Sequence, residues 1–302
     1  MADPPLVVPD WWPLAASSRA VGAGGLRWHV QQLGPADANA PVALLLHGTG
    51  ASAHSWRHLA PLLARDFHVI APDLPGHAFT QTPAAQALSL PAVAAAVDTL
   101  LQELGRRPNL LVGHSAGAAV ALRLVLDGRV APALTVSING ALLPLEGPLG
   151  RLLMPMARLL AANPFVPPAF AAWAALPTMT RRLLDSTGSK IEPLGERCYA
   201  HLVATPAHAA GALRLMSAWD LTPLASELPH LDSPLLLLAA GCDRTLPPEH
   251  AQRVLRLLPK AGHALLPGFG HLVHEEDAAA VREAIRAAWP GARAAATASL
   301  AA

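Results

Sequence analysis

A serine between two glycines is the feature of this sequence with the clearest chemical potential. Gly113-His114-Ser115-Ala116-Gly117 joins the apolar run Leu110–Gly113 to the segment Ala116–Leu126, which we predict to be a strand and a helix. Glycine at 113 and 117 allows a sharp turn in which the strand and the helix pack closely. The hydroxyl of Ser115 then projects from the tip. The pattern predicts a nucleophile elbow; the alternative is a glycine turn with an incidental serine.

A serine hydroxyl is a weak nucleophile at neutral pH and needs an adjacent base. Our candidate is His271, which ends the segment Gly268-Phe269-Gly270-His271. Because the chain has 14 histidines, the presence of a histidine is no evidence by itself, and the position of His271 is what favours it as the base. It follows the last predicted strand, and open α/β sheets form their ligand crevice at such strand ends. His274, at the start of the next predicted helix, is the nearest alternative.

The acid that orients the histidine should lie between the serine and the histidine in the chain. Asp243 directly follows the apolar run Leu235–Ala239 and fits that order, although it could instead cap the next helix or form a turn. Asp220 and Asp232 precede the run. Asn139 ends an earlier strand, but an amide cannot carry the charge that stabilises an imidazolium. The sequence therefore favours Asp243.

An oxyanion site needs two backbone N–H groups that point at one position. Ala116 follows the serine and lies at a helix N-terminus, where the helix dipole also favours an anion. The loop His47-Gly48-Thr49-Gly50, after the apolar run Val42–Leu46, offers the N–H of Thr49 as the second donor. An ordinary turn is the alternative for this loop. We expect His47 to brace the loop rather than to react.

Two pairs of histidines have a spacing that metal ligands can also have. His271 and His274 are three residues apart, and His54 and His58 are four apart. Neither pair has Cys, Asp or Glu residues nearby at the spacing of a metal site. No glycine-rich loop matches a nucleotide-binding motif. We therefore predict neither a metal nor a cofactor.

Short apolar runs alternate with helical segments along most of the chain, which is typical of a parallel sheet covered by helices. A hairpin around Val21–Gly25 precedes them. The predicted strands are Leu26–Leu33, Val42–Leu46, Phe67–Ala71, Leu110–Gly113, Leu134–Ile138, Leu235–Ala239 and His263–Pro267. The predicted helices are Trp56–Ala64, Ser89–Leu104, Ala116–Leu126, Pro248–Leu258 and Glu275–Trp289.

The alternation stops for about ninety residues and then resumes, which indicates an insertion. We predict a core formed by residues 1–141 and 230–290, a helical cap of residues 142–229 and a flexible tail of residues 291–302. The first part of the cap is strongly apolar. Phe165, Phe170 and Trp173 could line a site for a flat hydrophobic substrate, or could belong to a small core within the cap.

Composition excludes several classes of protein. The chain has 302 residues, 52% of them hydrophobic and 14% charged, and its net charge is +1. A disordered chain and a nucleic-acid-binding protein are therefore not expected. Two cysteines, Cys198 and Cys242, favour a reducing compartment. Residues 1–10 do not resemble a signal peptide. Prolines interrupt the apolar segment Leu152–Leu176, so we predict no transmembrane segment.

Taken together, the motifs resemble those of the α/β-hydrolase superfamily over residues 17–290. The matching stretches are His47-Gly48-Thr49-Gly50, Asp73-Leu74-Pro75-Gly76-His77, Gly113-His114-Ser115-Ala116-Gly117, Asp243 and His271. The resemblance implies an α/β-hydrolase fold with an inserted helical cap. A serine nucleophile tells against epoxide hydrolases and haloalkane dehalogenases, which use an aspartate.

Within the superfamily the chain is most similar to the magnesium-chelatase accessory hydrolases of bacteriochlorophyll biosynthesis. The resemblance rests on Ala23–Val30, Leu46–Ser52, Gly113–Ala119 and, in the cap, Ser186-Thr187-Gly188-Ser189. It implies a cytoplasmic photosynthesis protein that acts near magnesium insertion into protoporphyrin. Peripheral contact with the inner or photosynthetic membrane is an alternative.

The expected function is a Ser–His–Asp hydrolase, which acts on a small apolar acyl substrate or a tetrapyrrole and associates with magnesium chelatase. One alternative is a general carboxylesterase or C–C hydrolase. The other is a non-catalytic porphyrin-binding or chelatase accessory protein.

Overall fold

An eight-stranded sheet forms the centre of the protein. The computed structural model describes residues 7–37, 39–83, 88–144, 163, 165–176 and 178–300, with side chains described up to residue 290. The strands are β1 Ser18–Ala23, β2 Leu26–Leu33, β3 Val42–Leu46, β4 His68–Pro72, β5 Leu110–His114, β6 Leu134–Ile138, β7 Leu235–Ala240 and β8 Gly262–Leu266. Their order in the sheet is β1-β2-β4-β3-β5-β6-β7-β8.

The sheet is antiparallel only at its N-terminal edge. β1 and β2 form the predicted hairpin, and β2 is also antiparallel to β4. From β4 to β8 all neighbouring strands are parallel. The carboxyl ends of β3, β5, β6, β7 and β8 therefore meet along one edge of the sheet, which is where an open α/β sheet positions a ligand site.

Helices cover both faces of the sheet. They are α1 Leu59–Leu63, α2 Leu90–Glu103, α3 Ala116–Leu126, α4 Val166–Ala174, α5 Met179–Ser186, α6 Pro193–Val203, α7 Pro206–Ala218, α8 Thr222–Glu227, α9 Pro248–Leu257, α10 Val273–Glu276 and α11 Ala278–Leu300. Successive side chains of β3 point to opposite faces of the sheet. Leu44 packs in the cluster that includes Val97 of α2, whereas Leu45 packs in the cluster that includes Ile285 of α11. Burial on both faces explains the continuous apolar runs.

Helices α4 to α8 lie in the region between β6 and β7, which we call the inserted region. In the described part of that region the regular elements are all helical. The predicted α/β fold is thus confirmed. Among the residues that can be described, no helix is both long and apolar enough to cross a membrane.

Three predicted helix boundaries were wrong. The helix predicted over residues 56–64 is a 3₁₀ turn, Ala53–Trp56, followed by α1, because the Ser52 hydroxyl accepts the His54 N–H and starts the turn early. The helix predicted over residues 275–289 is split at Asp277, whose side chain caps α11 by accepting the Ala280 N–H. Helix α11 also runs past Pro290 into an alanine-rich sequence of high helix propensity.

Candidate active site

The turn at Ser115 has the backbone strain expected of a nucleophile elbow. Ser115 has a φ of 50° and directly precedes α3, and non-glycine residues rarely adopt that conformation. A side chain at Gly117 would overlap the carbonyl of Leu46, and one at Gly113 would overlap the backbone of Ala118. The two glycines are therefore required by the close contact of strand and helix, and Ser115 is left partly exposed.

The structure brings the predicted base and acid together. His271 Nδ1 lies 2.7 Å from Asp243 Oδ2, and both residues are buried. The other carboxylate oxygen, Oδ1, accepts the N–H groups of Thr245 and Leu246 at 2.7 and 2.8 Å. Asp243 is thus held by its own loop. Because a carboxylate can only accept, the proton of a neutral His271 lies on Nδ1 and leaves Nε2 able to receive one.

Ser115 and His271 lie on neighbouring loops of this edge. His114, the residue before the serine, has its ring 4.7 Å from that of His271. The hydroxyl of Ser115 has no hydrogen-bond partner among the residues that the structure describes. Contacts between a nucleophile and its base are often long in the absence of substrate and shorten when it binds.

Two backbone N–H groups are available near the serine for an oxyanion. Within the described chain, neither Thr49 nor Ala116 donates its N–H to another group. Gly48 packs against Ser115, since a Cβ at 48 would lie 3.0 Å from that of the serine. His47 braces this loop, as the sequence predicts. Its Nε2 accepts the N–H of Leu74 at 2.8 Å, and its Nδ1 lies 2.8 Å from the Gly48 carbonyl.

Asn139 has a structural role that the sequence did not reveal. Its side chain donates to the backbone carbonyl of His271 at 2.9 Å, and His114 Nε2 lies 3.0 Å from the same oxygen. The Asn139 amide oxygen accepts the N–H of Ala240. An amide, with both a donor and an acceptor, can link the loop of His271 to the end of β7 in this way, whereas a carboxylate cannot.

The alternative base and acid do not join this arrangement. His274 is fully buried between Trp56 and His114, with ring centroids 4.6 and 4.3 Å away. Burial holds the pKa of His274 well below its usual value. Asp232 lies on the surface. Within the described residues, no three His, Cys, Asp or Glu side chains are grouped to hold a metal ion.

A buried carboxylate, Asp73, fixes the loop after β4. Its oxygens accept from His29 Nδ1 at 2.7 Å and from the N–H groups of Ala53 and Phe79. Burial alone would favour the neutral acid, but these partners, with His29 foremost, lower the pKa of Asp73 to about 2. The loops after β3 and β4 are therefore joined through the ionised carboxylate of Asp73.

The inserted region contacts the loops of both His271 and Asp243. The carbonyl of Thr187 accepts the N–H groups of Arg244 and His271, each at 3.2 Å. The hydroxyl of Ser189 accepts the N–H of Leu272 at 2.8 Å. In the sequence, the segment Ser186-Thr187-Gly188-Ser189 was notable only for its resemblance to the chelatase accessory hydrolases. Its role could not be found there, because these bonds join residues far apart in the chain.

An ion cluster lies behind the same loops. The guanidinium of Arg57 donates to both carboxylate oxygens of Glu192, from the inserted region, at 2.6 and 2.9 Å. It also donates to Glu275, which accepts a second hydrogen bond from the Tyr199 hydroxyl at 2.7 Å. Arg57 and Glu275 are buried. Gly195 makes room for the guanidinium, since a Cβ there would overlap it.

The three aromatic residues predicted to line a substrate site lie on or beside α4. Phe165 and Trp173 are 80% and 45% exposed. Phe170 is half-buried, with its ring 5.7 Å from that of Trp173. Their proposed contact with substrate stays a prediction.

Comparisons with known proteins agree with the fold and the motifs. Residues 43–284 match the model of the Alpha/beta hydrolase family. The chain is 41% identical over 271 residues to the "Magnesium-chelatase 30 kDa subunit" of Rhodobacter capsulatus, covering 90% of this chain and 94% of that protein.

Solved structures give the same result for the fold. A putative lipase from Acinetobacter baumannii superposes with a TM-score of 0.76 at 20% identity, over 94% of each chain. An alpha/beta hydrolase fold protein from Burkholderia ambifaria has a TM-score of 0.73 at 24% identity, over 90% of this chain and 97% of that one.

Proposed function

Since the chain belongs to the alpha/beta hydrolase family, we propose that it is a serine hydrolase with Ser115, His271 and Asp243 as its catalytic triad. The observation that carries the proposal is the buried hydrogen bond of 2.7 Å between His271 Nδ1 and Asp243 Oδ2. This bond uses Nδ1 and leaves Nε2 of His271 as the base for Ser115, which the strained turn presents at the same edge of the sheet. The substrate is an ester or a similar acyl compound.

In the first half of the reaction the Ser115 oxygen attacks the acyl carbon while His271 Nε2 removes the hydroxyl proton. The negative charge on the substrate oxygen is stabilised by the N–H groups of Thr49 and Ala116. His271 then gives its proton to the leaving group, and the acyl–serine ester remains. The carboxylate of Asp243 stabilises the imidazolium formed in between.

In the second half water replaces the leaving group. His271 removes a proton from water as its oxygen attacks the acyl–serine, and the same two N–H groups stabilise the second tetrahedral intermediate. The proton returns to the Ser115 oxygen when the carboxylic acid leaves. All steps use groups of this chain and water, so no cofactor or metal is required.

We further propose that the enzyme acts with magnesium chelatase, near the insertion of magnesium into protoporphyrin. The support is the identity of 41% to a protein named as a subunit of that chelatase, over nearly the whole length of both chains. A small apolar acyl compound or a tetrapyrrole ester is the proposed substrate class, and the cytoplasm, with peripheral membrane contact as the alternative, the proposed location. A general carboxylesterase or C–C hydrolase would use the same residues.

A second candidate function is a chelatase accessory protein that binds porphyrin without hydrolysis. The name of the Rhodobacter capsulatus relative favours it, because that name describes a chelatase subunit and not a hydrolase.

A fluorophosphonate probe separates the two functions, because it reacts only with an activated serine. We expect the native chain to be labelled and the Ser115→Ala variant to remain unlabelled. Ser55→Ala is the control, since Ser55 is a buried serine outside the triad. An unlabelled native chain that binds protoporphyrin with the same affinity before and after Ser115→Ala would support the accessory protein and contradict the hydrolase.

A further inference from the structure

A histidine of the inserted region is hydrogen-bonded to the loop that carries Thr49. His208 lies on α7 and is 2% exposed. Its Nδ1 lies 3.0 Å from the backbone nitrogen of Ala78, and its Nε2 lies 3.2 Å from the carbonyl oxygen of Gly50. The side chain of His208 thus links the loop after β3 to the loop after β4, both at the carboxyl ends of the strands.

The partners of His208 determine its tautomer. A backbone N–H can only donate, so Nδ1 accepts from Ala78 and carries no proton. The proton of the neutral ring is therefore on Nε2 and is donated to the Gly50 carbonyl. Burial lowers the pKa of His208 to about 4. The ring consequently stays neutral near pH 7 and keeps both hydrogen bonds.

Close backbone contact holds His208 in register. A Cβ at Gly211, one turn further along α7, would overlap the carbonyl of Gly76. The helix therefore rests directly on the loop after β4, three residues from His208 along the helix. The ring of His208 also lies 5.3 Å from that of His77 in an edge contact.

The loop that His208 contacts contains a tight turn. The N–H of Ala51 donates to the Gly48 carbonyl at 3.2 Å and closes a turn with Thr49 and Gly50 at its centre. Gly50 has a φ of +77°, a conformation that glycine adopts without strain. The start of the turn is fixed by His47, as described above. Its end is fixed by His208.

We infer that His208 is a positioning residue for the oxyanion site: by holding the Gly50 carbonyl, it fixes the turn that aims the Thr49 N–H. This inference rests on the proposed function, in which Thr49 is an oxyanion donor. It makes the inserted region a part of the machinery that stabilises the transition state.

Two substitutions at 208 test each hydrogen bond separately. His208→Gln can place an amide nitrogen near the position of Nε2 and retain the bond to Gly50. His208→Asn can place an amide oxygen near Nδ1 and retain only the bond to Ala78. Loss of a whole oxyanion donor lowers kcat by about 100- to 1,000-fold. For a misdirected donor we expect the Asn variant to lose about 10- to 100-fold, and the Gln variant less than about 3-fold.

The rate of fluorophosphonate labelling, together with kcat and KM for a p-nitrophenyl ester, is the readout. The loss should appear in the labelling rate and kcat and leave KM unchanged, because the oxyanion forms only after binding. His263→Asn is the matched control. His263 lies at an exposed position of β8, the last strand at the edge of the sheet.

The outcomes separate the inference from the proposed function. An unlabelled native chain contradicts the hydrolase itself. Labelling of native and Asn variants at equal rates contradicts only the role of His208, as does an equal loss in the Gln and Asn variants. If either variant fails to fold, a crystal structure of the native phosphonylated enzyme tests whether His208 holds the Gly50 carbonyl while the Thr49 N–H binds the phosphonyl oxygen. His208 turned away from the Gly50 carbonyl, or a phosphonyl oxygen not bound to the Thr49 N–H, would overturn the inference.

Discussion

The hydroxyl of Ser189 accepts a hydrogen bond of 2.8 Å from the N–H of Leu272, the residue directly after His271. Ser189 belongs to the inserted region, whereas Leu272 belongs to the loop that presents the proposed base. The same loop is held from below by Asn139 and His114. The position of His271 is therefore set jointly by the sheet edge and by the insertion.

We expect Ser189→Ala to lower kcat by up to about 10-fold with little change in KM. The substitution leaves the buried N–H of Leu272 without an acceptor, which costs about 1–3 kcal/mol, and it allows the loop of His271 to move. Ester hydrolysis measured over a range of substrate concentrations tests this. Ser189→Thr, which keeps the hydroxyl, should retain most of the activity. A fall in kcat of the same size in both variants would indicate a packing role instead.

The Asp243→Asn substitution should reduce kcat by roughly 10,000-fold while leaving the fold intact. The amide can keep a hydrogen bond to His271 but stabilises the wrong tautomer and cannot compensate an imidazolium. Asp232→Asn removes a carboxylate that lies on the surface before β7 and serves as the control. Equal activity of the Asp243→Asn and native enzymes would show that another group orients the base.

The sequence was sufficient to predict the sheet and the order of the proposed triad. Apolar runs such as Val42–Leu46 and Leu134–Ile138 are strands with those bounds, since burial on both faces leaves a clear local pattern. Asp243 and His271 could be proposed because each lies within five residues of the end of such a strand. These predictions use information that lies within a few residues along the chain.

The contacts made by the inserted region could not be predicted in the same way. The bond from His208 to Gly50 joins residues 158 positions apart, and Arg57 and Glu192 are 135 apart. No periodicity or motif links such pairs. Their pairing depends on the angle at which α6 and α7 rest on the sheet, and this is set by close contacts such as that of Gly211 with Gly76.

Stability should fall steeply when the pH drops below 6.5. Burial lowers the pKa of eight described histidines below the ordinary value of 6.5, and six of these are at most 2% exposed. Below pH 6.5 the histidines of the unfolded chain bind protons, whereas the buried histidines of the folded chain stay neutral. The free energy of unfolding is therefore greatest above pH 6.5 and decreases as the pH falls. The six are His47, His54, His77, His114, His208 and His274.

Each of these six groups contributes at most about 1.4 kcal/mol per pH unit. Between pH 6.5 and 5.5 the unfolded histidine is only partly protonated, so each contributes at most about 1 kcal/mol and the six together at most about 6 kcal/mol. Urea unfolding at several pH values measures this slope. His208→Gln should reduce the slope by up to one proton, and Ser189→Ala, which removes no titratable group, should leave it unchanged. A free energy of unfolding that is constant over this interval would contradict the expectation.

Arg57→Met should destabilise the protein by about 3–5 kcal/mol, because it leaves the carboxylate of Glu275 buried without a counter-charge. The side chain of Glu275 has no exposed surface, whereas that of Glu192 is 35% exposed and can be hydrated. The double variant Arg57→Met/Glu275→Gln removes the unpaired charge and should recover more than half of the loss. Urea unfolding at pH 7.5 measures all three chains.

The control is Arg181→Met, in an ion pair with Glu196 where the arginine is 68% exposed. Exposed pairs of this kind contribute at most about 1 kcal/mol. If Arg57→Met costs no more than Arg181→Met, the buried cluster does not hold the inserted region to the sheet. If the double variant is as unstable as Arg57→Met alone, the loss comes from packing of the arginine side chain and not from the charge left on Glu275.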